Sequence, residues 1–374
     1  MRILFIGPLP EPLTGQSLAC RVFHDHLVKK HHVDLINLSK SGFAQGINSV
    51  GRVLEVLRFI WQAWRKSRKA DVIYFTVSES LAGNAKDMLI FLACFDKLPR
   101  MAIHLHGGAG MRLILDDKRP LLKSVNAFFL RRIGIVIVLG RRLADIYRGV
   151  VVDSRIHVVP NFAEDALFIE PADLSRKFDR PGPLLVLFLS NHLPGKGHVE
   201  LVLAYLALDR SVREQVEIDF AGSFESKEQK SEFLAMIEGS PRLRYHGPVR
   251  GQEKLALFRA AQIFCLPTYY PYEGQPISIL EAYASGCAVV TSDHSGIPDI
   301  FQDRVNGLLV KAGSPASIRQ AIEHAVADRS SLMRYALHNR READVHYRTP
   351  RYNNALCECL VKIGSNTASG GSRT

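Results

Sequence analysis

At 374 residues the chain is too long for one ordinary domain and comfortable for two. An apolar content of 47% and a charged content of 23% are those of a soluble globular protein, which sets aside fibrous and low-complexity classes. A net charge of +11 favours an anionic partner: a nucleotide, a nucleic acid or an acidic lipid surface. No stretch reaches the length of a membrane span. The apolar run at 3–6 is too short for a secretory signal and is followed at once by Pro8 and Pro10. Cys20, Cys94, Cys265, Cys287, Cys357 and Cys359 show no CxxC spacing and read as reduced cytosolic thiols. A cytoplasmic protein is expected.

In chain order, β-rich runs are predicted at 2–6, 33–38, 72–77, 102–106, 135–139 and 156–159. Amphipathic helical stretches fall between them at 17–29, 50–69, 81–97, 120–132 and 141–148. That alternation implies βαβ units and a parallel sheet. The first run ends at Gly7, and a loop leads through Gly15 into a helix. Gly15 lets backbone approach a ligand at the helix start, although a plain strand–helix turn explains it equally. His104 and His106 share a strand face, with His106 at the carboxyl end before Gly107-Gly108. His106 reads either as a hydrogen-bonded strand-end residue or as a group presented to a ligand.

Residues 165–183 are polar and contain Pro171, Pro181, Gly182 and Pro183, so a linker is expected over 166–183. The alternation then restarts, with strands at 184–189, 216–221, 243–246, 263–266, 288–292 and 307–310. Helices are predicted at 199–208, 227–237, 252–260, 277–285, 315–327 and 331–344. Two doubly wound domains follow, at 1–165 and 184–346. Residues 365–374 are Ser/Gly/Thr-rich and are expected to be a disordered tail. Ligands of such domains bind outside the strand ends, in a cleft.

The chemistry concentrates in the second half. Lys196 stands between Gly195 and Gly197 after the strand at 184–189, where one cation suits a leaving diphosphate; a solvated loop lysine is the bland alternative. Glu273 and Glu281 flank Gly274-Gln275-Pro276-Ile277-Ser278. Pro276 suits a first helical turn, and the free N–H groups after it favour phosphate. Glu281, one turn inside, can take ribose hydroxyls, while Glu273, before the turn, can reach what hangs off the far phosphate. Two acids at a helix entrance also simply favour its dipole.

Taken together, these segments resemble retaining GT-B glycosyltransferases of glycosyltransferase family four. Glu273 to Glu281 fits the E-x7-E motif, Lys196-Gly197 the Lys-Gly motif, and Ser295-Gly296-Ile297-Pro298-Asp299 the Gly-Gly-Ile-Pro-Glu segment. Asn306-Gly307-Leu308-Leu309-Val310 and Val159-Pro160-Asn161 also match, and His106 and Gly15 fall where the family has its cleft His and its glycine loop. The match is strongest over about 184–310. The resemblance implies an α/β, GT-B fold of two Rossmann-like domains, 1–165 on the acceptor side and 184–346 for the nucleotide sugar, with a helix over 347–364 that returns to the first domain. It also implies a hexose transferred with retention from a nucleotide diphosphate sugar to a hydroxyl, with no metal or other cofactor.

By that resemblance Glu273, His106 and Lys196 are catalytic. Gly15, Asn191, Lys196, Gly274, Gln275, Pro276, Ile277, Ser278 and Glu281 bind the donor. Asn191 stands where the family often has Arg, with Arg250 and Arg304 as candidate replacements, and Ser295 replaces a Gly. The expected setting is surface polysaccharide synthesis, with a glycan acceptor that is lipid-linked. The helix at 52–69, with Trp61, Trp64, Arg65, Lys66, Arg68 and Lys69, and the segment 121–132, with Phe128, Phe129, Arg131 and Arg132, suggest a peripheral site on an anionic inner leaflet. A sheet-packing helix with a basic last turn explains the first of these as well. A sugar-nucleotide epimerase or hydrolase and a non-enzymatic nucleic-acid binder are the competing classes; the second does not explain the acids.

Overall fold

The structure, a computed structural model, describes residues 1–39 and 49–365, without the side chains of Ser49, Val50 and Arg52. Of the expected tail, 366–374 lies outside the described residues, and Ser365 ends a helix. The chain divides into two compact units, Met1–Pro160 with the residues from Pro350 onward, and Asn161–Thr349.

The first unit runs β1 (Arg2–Gly7), α1 (Gly15–Leu27), β2 (His32–Asn37), α2 (Ser49–Ser67), β3 (Val72–Thr76) and α3 (Leu81–Ala93). It continues with β4 (Met101–Leu105), α4 (Ala109–Ile114), α5 (Pro120–Leu130), β5 (Ile135–Val138), α6 (Arg141–Ala144) and β6 (Ile156–Val158). The six strands are parallel, in the order β2-β1-β3-β4-β5-β6. Every residue of β3, β4 and β5 is buried, as expected of strands covered on both faces, and their sequences are accordingly near-continuous apolar runs. The stretch predicted as one helix over 81–97 stops at Ala93. A 3-10 turn, Phe95–Arg100, holding Pro99, follows, because proline cannot continue the α-helical ladder. Helix α4 was not expected, since Gly107, Gly108 and Gly110 give its start the composition of a loop.

The second unit runs α7 (Pro171–Asp179), β7 (Leu184–Leu189), α8 (His198–Leu206), α9 (Arg210–Arg213), β8 (Val216–Ala221), α10 (Lys227–Ile237) and β9 (Leu243–Tyr245). Next come α11 (Gly251–Ala260), β10 (Ile263–Leu266), α12 (Ile277–Ala284), β11 (Ala288–Ser292), β12 (Gly307–Val310), α13 (Pro315–Ala327) and α14 (Arg329–His346). Its strands are also parallel, in the order β12-β11-β10-β7-β8-β9. The last helix, α15 (Thr349–Ser365), buries Tyr352, Leu356, Cys359, Leu360 and Ile363, and Ile363 lies against Gly134 of the first unit, to which the residues from Pro350 belong.

The linker expected over 166–183 is corrected. That stretch belongs to the second unit and contains α7, which begins at Pro171. Proline there starts a helix rather than breaking one. Leu174 is buried, and the buried Lys177 Nζ donates to the Ser285 and Phe258 carbonyls at 2.7 and 3.0 Å. These bonds satisfy an ammonium whose charge burial disfavours.

An aromatic cluster beside β7 holds His192 and His198, with His192 stacked on Phe224 at 4.3 Å. Burial pushes their pKa values down, to about 3 and about 4. The unfolded chain therefore binds more protons than the folded one below the ordinary imidazole value of 6.5, so stability falls as pH drops through that range. Each imidazole is expected to remove about 2 kcal/mol between neutral pH and pH 5. Urea unfolding at the two pH values checks this. His192→Phe should narrow the pH gap by about that amount, and an unchanged gap would count against the buried neutral imidazole.

Candidate active site

In the second sheet the chain leaves β7 toward β8 on one side and returns on the other at β10, so strand order reverses between these two neighbours. In open α/β sheets the binding crevice lies outside the strand carboxyl ends at such a reversal. The loop after β7 carries Lys196 and the loop after β10 carries Glu273. Lys196 Nζ lies 2.6 Å from Glu273 Oε2, with both side chains about nine-tenths buried. Thr268 Oγ1 lies 3.2 Å from the same oxygen, and Lys196 Nζ sits 4.7 Å from the Tyr270 ring centroid. Gly195 and Gly197, at φ of +89° and +92°, shape the loop that delivers Lys196. A Cβ at Gly197 would meet the Pro267 carbonyl oxygen at 2.8 Å, so the glycine permits the close approach of the two loops.

Helix α12 follows Glu273 directly. Its N-cap, Pro276, offers no side-chain acceptor, so the first amides of the helix are not occupied by a cap. Gly274, Gln275, Pro276 and Ile277 are buried and Ser278 is half-buried. Gln275 is held by Asn161: its Oε1 accepts the Asn161 N–H at 2.7 Å, and its carbonyl accepts from Asn161 Nδ2 at 2.8 Å. This is what the Val-Pro-Asn segment contributes.

Ser295, where a glycine was expected, adopts a left-handed φ of 52°. Its hydroxyl donates to the Glu273 carbonyl at 2.6 Å, and the Gly296 N–H donates to the Gly274 carbonyl at 3.1 Å. The serine's backbone strain is offset by a bond that fixes the Glu273 turn.

Glu281 is 2% exposed and its Oε1 lies 2.6 Å from Lys254 Nζ, which also reaches Glu164 Oε1 at 2.8 Å. Sequence reasoning missed Lys254 and Glu164. No local spacing marks them, because they join Glu281 only when α11 and the segment after Asn161 pack beside α12. Asn191, half-buried, lies in the loop after β7, and its carbonyl accepts the Leu193 N–H at 2.9 Å. Of the candidate replacements for an arginine there, Arg304 reaches the surface residue His324 at 2.8 Å, and Arg250 is the N-cap of α11.

In the first unit the strand order reverses between β1 and β3. Gly15 is exposed at the first position of α1, which Thr14 and Ser17 cap reciprocally at 3.1 and 2.8 Å. His106 follows β4. Its ring lies 4.0 Å from that of His104, and burial pushes its pKa down to about 3, leaving a neutral imidazole. His104 Nδ1 is bonded to the Tyr74 hydroxyl at 2.7 Å, whereas His106 Nε2 has no hydrogen-bond partner among the described residues. Glu79, also missed by sequence reasoning, follows β3 and accepts from the Gly110 N–H at 3.0 Å. Burial raises its pKa to about 7 against the pull of the Gly110, Gly107 and Gly108 amides.

With that geometry in place, known proteins are informative. Residues 172–342 match the family model of glycosyl transferases group 1. That match lies within the second unit, Asn161–Thr349, and spans most of it. An uncharacterized glycosyltransferase of Methanocaldococcus jannaschii is 23% identical over 239 residues, covering 59% of this chain and 57% of the relative. The chain thus matches little more than half the length of that relative. Among solved structures, Anabaena HepE in complex with UDP and glucose superposes with a TM-score of 0.72 at 17% identity, covering 97% of this chain and 100% of that one. WaaG, a glycosyltransferase involved in lipopolysaccharide biosynthesis, gives a TM-score of 0.69 at 14% identity over 96% of this chain and 99% of its own. The expected GT-B class, two Rossmann-like units each built on a six-stranded parallel sheet, is therefore the fold of this chain.

Proposed function

We propose that the chain transfers a hexose from a nucleotide diphosphate sugar to a hydroxyl of a glycan acceptor, with retention and without a metal. The observation that carries this is the Lys196–Glu273 pair at the strand-order reversal, directly before the uncapped start of α12. The α12 amides and Lys196 suit the diphosphate, Glu281 the ribose, and Glu273 the sugar. As the anomeric carbon–phosphate oxygen bond breaks, the acceptor oxygen bonds to that carbon, and its proton passes to the departing phosphate oxygen. Positive charge at the diphosphate lowers the barrier to its departure.

A screen of UDP-, GDP- and ADP-sugars for nucleotide release, with and without a glycan acceptor, tests the reading. Acceptor-dependent release that survives EDTA supports it. Release without acceptor favours an epimerase or hydrolase, and loss with EDTA contradicts the metal-free mechanism. Salt-sensitive gel shifts without any release would favour a nucleic-acid binder.

A lipid-linked acceptor, a role in surface polysaccharide synthesis and a peripheral position on the cytoplasmic membrane complete the reading. Its support is one face of the first unit. On α2, Trp61 is 53% and Trp64 42% exposed, with Arg65 and Arg68 over their rings at 5.2 and 3.8 Å. Helix α3 packs against both α2 and α5 and exposes Leu89 and Leu92. The exposed Phe95 stacks on Phe128 of α5 at 6.1 Å, and Arg132 lies 3.8 Å over Phe128. Aromatic rings beside arginines suit a bilayer interface, where each basic group contributes about 1 kcal/mol. Cosedimentation with anionic vesicles at low salt, lost at high salt and on reversing Arg65, Lys66, Arg68 and Lys69 to Glu, is expected. Indifference to such vesicles would leave these helices as sheet-packing elements only.

A further inference from the structure

We propose that Lys254 is a positioning residue of the donor site, keeping Glu281 ionised and its carboxylate fixed for the ribose hydroxyls. The proposal rests on the reading that Glu281 meets the ribose. Helix α11 precedes β10 and runs antiparallel to it, so its first turn, with Lys254, lies at the carboxyl edge of the sheet. From there Nζ reaches Glu281 Oε1 at 2.6 Å and Glu164 Oε1 at 2.8 Å.

The burial of the three groups decides their roles. The Glu281 side chain is 2% exposed and that of Lys254 12%, whereas Glu164 is 41% exposed. A carboxylate buried like Glu281 tends to take up a proton, and desolvation does raise its pKa. The charged groups that face it are Lys254 from α11, which favours ionisation, and Glu164, which opposes it. Burial also works against the charge of Lys254, but the two carboxylates outweigh this and its pKa stays above the usual lysine value.

Without the ammonium, Glu281 would be left buried beside a second acid. A protonated carboxyl keeps less capacity to accept two hydroxyl hydrogens, and it rotates more freely once the ion pair is gone. Lys254 thereby becomes a determinant of selectivity for ribose. No local motif signals this, since 27 residues separate it from Glu281.

The test is calorimetric binding of UDP, GDP and ADP, each beside its 2′-deoxy and 3′-deoxy counterparts, to wild type, Lys254→Met, Lys254→Gln and Lys254→Arg. Thermal melts first establish that each variant is folded. The wild type should prefer the ribonucleotide. Lys254→Met should bind it at least tenfold more weakly at pH 6.5, lose most of the preference for hydroxyls, and recover part of both near pH 9 as Glu281 ionises. Lys254→Gln keeps a hydrogen-bond donor without the charge and should behave like Lys254→Met, whereas Lys254→Arg should resemble wild type. In turnover assays the loss should appear in donor KM more than in kcat. A folded Lys254→Met or Lys254→Gln with wild-type affinity and hydroxyl preference overturns the proposal and leaves the ribose reading standing. A wild type that binds these nucleotides but ignores both hydroxyls overturns the ribose reading first, and the proposal with it.

Discussion

Glu273→Ala is expected to lower turnover by roughly 10²–10³-fold, the scale for removing one group that stabilises a transition state. The carboxylate is 8% exposed and is fixed from three directions: by Lys196 at 2.6 Å, by Thr268 at 3.2 Å, and through its own backbone by Ser295 at 2.6 Å. A group held so firmly matches the demand of a reaction centre for fixed geometry. Removing it leaves Lys196 without its carboxylate in a mostly buried site, so the alanine variant should also lose stability. Glu273→Gln separates the two effects, because it keeps the shape and an acceptor oxygen while removing the charge. Both variants should lose turnover on that scale, with the melting temperature of the glutamine variant the closer to wild type. Near wild-type transfer by a folded Glu273→Gln would remove Glu273 from the chemistry.

The second large effect is expected at Lys196. On the proposed reading it is the cation at the diphosphate among the motif residues, since Asn191 stands where an arginine would supply a second. Lys196→Ala should lower kcat by about 3–4 kcal/mol of transition-state stabilisation, with a smaller change in donor KM. Less than a tenfold loss would contradict the assignment. Because Lys196 and Glu273 are in direct contact, their effects should not add: the double alanine variant should be little worse than the poorer single one. Steady-state kinetics of the four proteins form the cycle. Strict additivity would mean that the two residues act on separate features of the reaction.

Much of this molecule was legible in one dimension. Near-continuous apolar runs and amphipathic stretches of period 3.6 place the strands and most of the helices, because a parallel sheet covered on both faces and the helices packed on it impose those patterns directly. Turn chemistry marks the loops after β7 and β10, where glycines and a proline are needed for close approach and for starting α12. The motifs around Lys196, Glu273 and Ser295 were therefore visible in order, although their spatial convergence was not. Composition misled at two points. Pro171 suggested a linker but begins α7, and the glycines at 107, 108 and 110 concealed α4.

What only the tertiary structure decided are the partnerships. Lys196 and Glu273 are 77 residues apart, and they meet because β10 lies beside β7 rather than beside β9. The Glu164–Lys254–Glu281 triad assembles from three segments whose local sequences carry no sign of one another. The exposed aromatic face of the first unit gains Leu89, Leu92 and Phe95 only when α3 packs between α2 and α5. Secondary structure follows from periodicities within a turn or two of chain. Charge pairing, burial of ionisable groups and surface composition depend on strand order, which is settled by packing over the whole sheet.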